Sequence, residues 1–378
     1  MTIATERVQG LMANYISHGG VGASMAYAIA DGPVETIVAG VADRVSNASV
    51  TPDSLFKIGS CTKTFFVAAY LQLLKDQNIP IQTLASCWFP DVPGADKISL
   101  VQLVNHRNGL PEFEYGVSMD FNRHWTPTEL VDLAFEVGEQ KPSGGPAVYN
   151  NTGYALAGIL LETLSGKSVG AYVREIVLEP LGLHNTWSPA TEPYPDSQLV
   201  RGHYHRPKPD PVAPSGKSAS GIASGGEMWR MEGVLPYSDD LQDSSATFPY
   251  SAAFALGDML STPTEMVVFM RSLFGGKVVP DGLLKIMSEQ RAPVSFPGTR
   301  MRETGAGMFV SDYGDRSFYG HQGSIPGYVC AMQHSPESGL TIAMTTNIGS
   351  GNRMTFQASG LHNVIDDAIR VISAEHAL

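Results

Sequence analysis

Residues 56–66 read Phe56-Lys57-Ile58-Gly59-Ser60-Cys61-Thr62-Lys63-Thr64-Phe65-Phe66. Up to Gly59 apolar and polar residues alternate, as in a short strand; from Ser60 onward a strongly apolar helix begins. Ser60 and Lys63 form an S-x-x-K pair. On the first turn of a helix, positions i and i+3 share a face, which brings the lysine within hydrogen-bond reach of the hydroxyl. A serine needs a base to become a nucleophile. A lysine serves when burial and the positive end of a helix keep it neutral. Ser54-Leu55-Phe56-Lys57 also fits the pattern, but it leads into the strand.

On the N-terminal side of this segment, residues 3–18 have helical spacing and stop at Gly19-Gly20. Gly22–Ala30 and Val34–Val41, split by Asp31-Gly32-Pro33, read as a hairpin. On its C-terminal side the chain is helix-rich: Thr62–Asp76, Leu100–Leu103, Thr128–Gly138, Thr152–Ser165 and Val169–Val177. Residues 188–250 are rich in Pro, Ser, Gly and Asp and read as a long loop segment. A helix returns at Pro263–Phe274. Strands follow at Gly307–Ser311, Ser317–Gly320, Tyr328–His334 and Leu340–Thr346, and Leu361–Ile372 closes the chain as a helix. Strands at both ends with helices between them imply an α/β fold, one antiparallel sheet built from both termini with a helical region inserted. The expected division is a discontinuous sheet domain, 1–57 and 256–378, and a mainly helical domain, 58–255.

The 378 residues carry 37 Asp and Glu against 25 Lys and Arg, a net charge of −12. That balance argues against nucleic acid or an anionic membrane surface as the main partner. Three cysteines, Cys61, Cys87 and Cys330, are too few for a disulfide framework or a zinc cage. Glu6 and Arg7 fall where a secretory signal needs apolar residues, and no apolar run approaches the ~20 residues of a membrane helix. The expectation is a cytoplasmic enzyme without metal or cofactor.

Two further segments carry chemistry. Tyr149-Asn150-Asn151 precedes the helix at Thr152; a loop tyrosine there can relay protons and Asn151 can orient a substrate amide. His321-Gln322-Gly323 follows an apparent strand, and Gly320 and Gly323 admit close backbone approach. Other matches fail on context. Gly166-Lys167-Ser168-Val169-Gly170 lies between two helices, whereas a G-x-S-x-G elbow needs a strand before it. His203-Tyr204-His205 lacks a third ligand nearby for a metal. Cys61, without a paired base, reads as a small packing residue.

The order S-x-x-K at Ser60, Y-x-N at Tyr149 and H-x-G at His321 resembles the serine penicillin-recognising superfamily of class C β-lactamases, DD-peptidases, related esterases, D-aminopeptidases and D-amino-acid amidases. Leu103-Val104-Asn105-His106-Arg107-Asn108-Gly109-Leu110-Pro111, Pro180-Leu181-Gly182-Leu183 and Gly257-Asp258-Met259-Leu260-Ser261-Thr262 agree with it. Gly59-Ser60-Cys61-Thr62-Lys63, Glu112-Phe113-Glu114 and Gly320-His321-Gln322-Gly323-Ser324-Ile325-Pro326-Gly327 look most like the D-amino-acid amidase branch.

The resemblance implies a class C β-lactamase-like fold, an antiparallel sheet flanked by helices plus an all-helical domain, with the site between them. It implies an acyl-enzyme amidase acting on D-amino-acid amides or short peptides with an N-terminal D-residue. Ser60 is then the nucleophile, and Lys63 and Tyr149 move the proton. The N–H groups of Ser60 and Ser324 bind the oxyanion, beside Gly323. Asn151 and His321 orient the substrate. Glu114, or secondly Glu112, is the expected partner of the substrate ammonium. From the composition of residues 188–250, Trp229 is expected to wall an apolar pocket. Many relatives carry K-T-G where this chain has His321-Gln322-Gly323; a histidine attracts a substrate carboxylate less than a lysine does. The alternatives are an esterase or acyltransferase using the same site, and a penicillin-binding sensor with little turnover.

Overall fold

The structure is a computed structural model that describes residues 2–115, 123–207, 237–243, 249–294, 296, 299–350 and 361–377. Its centre is a nine-stranded antiparallel sheet. In spatial order the strands are Ala48–Ser49, Glu35–Asp43, Gly22–Ile29, Leu340–Thr346, Tyr328–His334, Ser317–Ile325, Phe309–Asp312, Met301–Thr304 and Ala292–Pro293. The two ends of the chain meet at the pairing of Gly22–Ile29 with Leu340–Thr346, where Met25 faces Met344.

The strands have an alternation of side-chain size as well as of direction. On one face, Met25, Tyr27, Ile342, Met344, Val329 and Ala331 pack against the terminal helices Ile3–Ser17 and Leu361–His376 through Val8, Met12, Ile365, Ile369 and Ile372. On the other face most of the residues are small, Ala26, Ala28, Cys330 and Ala343, with Met332 the larger exception. Successive strand residues point to opposite sides, so this period of two gives each face its own character. Small side chains let the helices Thr62–Asp76 and Pro263–Phe274 lie close to the sheet. Both faces are covered, which explains why Leu340–Thr346 and Tyr328–His334 are buried along their whole length.

The helix Thr62–Asp76 is apolar nearly all round and is buried to match. Phe65 stacks on Phe269 with ring centroids 3.7 Å apart, which ties it to Pro263–Phe274. Thr152–Ser165 packs beside Leu100–Val104, and Pro127–Val137 beside it in turn. Thr126 caps Pro127–Val137 with a capping box to Glu129, as its sequence promised.

Several sequence readings change. The strand expected at Ser317–Gly320 runs on to Ile325, so residues 321–324 lie within it. The stretch 188–250 is not loop throughout: His203–Pro207 pairs antiparallel with Tyr237–Asp243 and parallel with Ile348–Ser350. Short edge strands in a Pro-rich context carry too little pattern to be read alone. The helix Asp281–Glu289 and the strands Met301–Thr304 and Ala292–Pro293 were also missed. Val169–Val173 passes into one wide π turn, Arg174–Leu178. Ser168 caps that helix and Gly166 ends the preceding one in a left-handed conformation, so the G-x-S-x-G match is a helix junction. Among the described residues no helix is long and apolar enough to cross a membrane.

Gly153 tests the close packing of Thr152–Ser165. A Cβ there would lie 2.3 Å from the Leu103 carbonyl oxygen. Gly153→Ala should therefore lower stability by about 1–3 kcal/mol, although alanine is the better helix former. Chemical denaturation checks the sign: a more stable variant would mean that this contact is slack.

Candidate active site

The strand Ser317–Ile325 pairs with Phe309–Asp312 only over Ser317–Gly320. The turn at residues 58–61 packs on the face of this strand and its neighbour Tyr328–His334, where the register partners Gly323 and Cys330 both meet the Ile58 carbonyl. The approach is close enough that a Cβ on Gly323 would sit 1.9 Å from the Ile58 oxygen. Gly59 adopts φ +46°, and a Cβ on it would lie 2.9 Å from the Ser324 nitrogen. Both glycines are thus required by backbone contact, and together they set Ser60 beside Ser324. The thiols of Cys61 and Cys330 lie beneath, 3.3 Å apart, donating to the His321 and Ile58 carbonyls at 3.2 and 2.8 Å. Cys61 is a buried packing residue, as its sequence context indicated.

Ser60 ends up between two proton-carrying groups. Lys63 Nζ lies 3.1 Å from Ser60 Oγ and donates to the Leu256 carbonyl at 2.8 Å. Tyr149 donates its phenol proton to Ser60 Oγ at 2.7 Å. Lys63 Nζ also sits 5.1 Å from the Tyr149 ring centroid and 5.0 Å from that of Tyr154. Lys63 is fully buried. Burial lowers its pKa to about 7, against the opposing pull of the Glu114 and Glu112 charges. Burial raises the Tyr149 phenol well above its usual range, with the Ser60 hydrogen bond acting the other way.

Strained backbone marks the supports of this triad. Gly59 precedes the serine. Ala255, at φ +62°, precedes the Leu256 carbonyl that holds the lysine, and His106, also at φ +62°, packs its ring 4.5 Å from Tyr149. Such left-handed non-glycine residues are uncommon and cluster at functional sites.

Around the triad lie the other residues singled out in the sequence. The Asn151 side chain hydrogen-bonds the Glu114 carboxyl, and its Oδ1 is buried without a protein partner among the described residues. Glu112 accepts the backbone N–H of Asn151 and, at 3.2 Å, that of Glu114. Burial raises the pKa of both carboxyls, Glu112 to about 8, with each hydrogen bond pulling the other way.

His321 Nδ1 is 2.5 Å from the Gln322 carbonyl. A carbonyl oxygen only accepts, so Nδ1 carries the proton and Nε2 presents a lone pair. That Nε2 is buried and has no protein partner among the described residues. Burial and the nearby Lys63 charge hold the imidazole neutral, with its pKa lowered to about 3. Trp229 lies outside the described residues.

The second S-x-x-K match separates cleanly. Phe56–Lys57 is a two-residue strand paired with Leu260–Ser261, and Lys57 Nζ lies over the rings of Tyr250 and Tyr328. His203 Nδ1 lies 3.3 Å from the Asn347 carbonyl. No group of three or more His, Cys, Asp or Glu is placed to hold a metal among the described residues.

His106 is the site residue that sequence reasoning passed over, although its loop was quoted. Its histidine was visible, but its backbone conformation and its contacts were not.

Comparison with known proteins agrees with this geometry. The Beta-lactamase family model matches residues 4–363. The D-amino acid amidase of Ochrobactrum anthropi SV3, complexed with L-phenylalanine amide, is 31% identical with a TM-score of 0.87, over 99% of this chain and 100% of that one. Penicillin-binding protein 4 of Amycolatopsis lactamdurans is 25% identical over 346 residues, 87% of this chain and 81% of that protein. An unguisins hydrolase of Aspergillus campestris is 33% identical over 178 residues; the match spans about a third of that protein. A D-stereospecific amidohydrolase from Streptomyces sp. shares the fold, at 22% identity and a TM-score of 0.73. With the family match running through nearly the whole chain and a lysine and a tyrosine converging on Ser60, the protein belongs to the beta-lactamase family and is a serine hydrolase.

Proposed function

We propose that this hydrolase is a D-amino-acid amidase, acting through an acyl-enzyme on amides or short peptides with an N-terminal D-residue. The observation that carries the reading is the charge layout around Ser60: two carboxyls, buried Glu112 and half-buried Glu114, on one side and a neutral histidine on the other. An amino-acid amide brings an ammonium group and no carboxylate, and this layout suits that charge. A peptide C-terminus or a β-lactam carboxylate would meet His321 Nε2, a lone pair rather than a cation. The likeness to the Ochrobactrum amidase, a structure holding a phenylalanine amide, supports the same substrate class and is the source of the D preference.

In this reading neutral Lys63 takes the Ser60 proton as Oγ attacks the amide carbonyl. The N–H groups of Ser60 and Ser324 stabilise the oxyanion, a contribution of ~3–4 kcal/mol per donor in other hydrolases. Tyr149 passes the proton to the departing nitrogen, which leaves as ammonia or an amine. Water then attacks the ester and the same groups run in reverse. Asn151 Oδ1 accepts a substrate N–H. Glu114 ion-pairs with the ammonium, which draws its raised pKa back down. Glu112 braces both through their backbone.

Hydrolysis of D- and L-phenylalaninamide by wild type and Ser60→Ala tests the reading. Ammonia should come from the D form and vanish in the variant; release from neither form would remove the amidase assignment. Below about pH 7, kcat/KM should fall roughly tenfold per unit, because Lys63 gains a proton there and cannot act as base. A flat profile from pH 5 to 8 would contradict that role. Glu114→Gln should raise KM for D-phenylalaninamide by about tenfold or more, the scale of one charge-assisted hydrogen bond. KM for 3-phenylpropanamide, which lacks the amino group, should hardly move. Equal shifts would show that Glu114 does not meet the ammonium.

A further inference from the structure

Tyr149 sits on a segment with no regular structure of its own. Residues 138–151, between the helices Pro127–Val137 and Thr152–Ser165, include Gly144, Gly145 and Pro146. A phenol that must meet Ser60 Oγ at 2.7 Å needs a rigid mount, and a loop supplies one only if other elements hold it.

The mount runs along residues 106–109. Lys141 N donates to the Gly109 carbonyl at 2.9 Å and Gly144 N to that of Arg107 at 2.8 Å. The Arg107 guanidinium returns hydrogen bonds to the carbonyls of Gly144 and Gly145. The two backbone links that flank Tyr149 come from His106, while the Asn150 side chain is tied separately to the Leu110 and Pro111 carbonyls. The His106 carbonyl accepts from Val148 N at 2.9 Å, and its Nδ1 accepts from Asn150 N at 3.1 Å. Those are the residues immediately before and after Tyr149. The imidazole also lies against the phenol ring, with centroids 4.5 Å apart at 30°, and on Phe309 at 6.1 Å and 9°.

Three features make this a dedicated arrangement. The backbone at His106 is left-handed, a conformation uncommon outside glycine, although histidine tolerates it better than most residues. The Asn150 N–H only donates, so Nδ1 must be unprotonated and the ring neutral. Burial favours that neutral form, and a proton on nearby Lys63 would favour it further. Finally, Tyr154 donates to the Val104 carbonyl at 2.7 Å, fixing the chain two residues before His106.

We propose that His106 is a positioning residue: it fixes the backbone on both sides of Tyr149 and the plane of its ring, and so sets where the phenol meets Ser60 Oγ. Its contacts run to the Tyr149 loop and to the rings of Tyr149, Tyr154 and Phe309, and it acts through Tyr149. The proposal rests on the serine-hydrolase reading and not on the choice of substrate.

The test compares His106→Asn, His106→Gly and His106→Phe, each alone and in a Tyr149→Phe background, with p-nitrophenyl acetate as substrate. All three keep the carbonyl that accepts from Val148 N; asparagine tolerates the left-handed backbone and keeps a side-chain acceptor but has no ring, glycine has no side chain, and phenylalanine keeps a ring but no acceptor for Asn150 N. Loss of a positioned proton carrier costs about 10²–10⁴-fold at most. His106→Asn should therefore lower kcat about tenfold, and His106→Gly and His106→Phe about a hundredfold. KM should stay within about threefold throughout. In the Tyr149→Phe background these losses should shrink to about twofold, because the phenol they misplace is already gone.

Wild-type kcat in His106→Gly would overturn the proposal. So would losses that persist in full without the Tyr149 hydroxyl, since they would mark a general structural role. Should the glycine and phenylalanine variants fail to fold by circular dichroism, the cycle between His106→Asn and Tyr149→Phe decides alone. Because ester turnover does not require an amino-acid amide, failure of the amidase reading leaves this test intact.

Discussion

A lysine with no exposed surface is the constraint from which the site follows. Lys63 points out of an apolar helix into the core, where an ammonium ion costs several kcal/mol unless it is paired or loses its proton. Here it is met by one hydroxyl and one carbonyl, Ser60 and Leu256. The protein settles the conflict by lowering the lysine toward neutrality and placing two carboxyls near enough to limit the fall. The same neutral amine is what a serine nucleophile needs. The cost to the fold and the capacity for chemistry are one interaction seen twice.

The sheet makes that burial possible. The face carrying Ala26, Ala28, Cys330 and Ala343 belongs to the same packed core as Thr62–Asp76, and Lys63 lies within that core with no exposed surface. The nucleophile turn packs on the face of Ser317–Ile325, and Gly59 and Gly323 remove the side chains that would block that approach. The backbone strain is local: Ala255 and His106 hold uncommon conformations, each next to an atom that touches the triad or its loop. The packed helices around them supply the stability that keeps such residues in place.

The family scaffold leaves room for substrate choice, and in the proposed reading the charges around Ser60 exercise it. A lysine at position 321 would extend a cation toward the substrate; His321, with Nδ1 tied to Gln322, extends a lone pair. Glu112 and Glu114 add acidic groups on the other flank. Glu112 has its carboxylate engaged by two backbone N–H groups, which suits bracing better than direct contact with a ligand.

Local pattern in the chain is enough where the physics is local. The helices Thr62–Asp76, Thr152–Ser165 and Pro263–Phe274 follow from periodicity, caps and turns, and so do the strands Tyr328–His334 and Leu340–Thr346. The i to i+3 spacing of Ser60 and Lys63 is likewise a property of one helical turn. Their meeting with Tyr149, 89 residues on, was legible only as an ordered set of weak motifs. The rest needed the folded chain, because it depends on burial and on contacts between distant segments. Folding selected Lys63 over Lys57 by placing the two in different surroundings. It made His321 a neutral acceptor through one carbonyl, and it gave Glu112 and Glu114 unequal partners. It turned His106, an ordinary histidine in the chain, into the clamp beside Tyr149, because a left-handed backbone and two cross-loop hydrogen bonds leave no mark in local sequence.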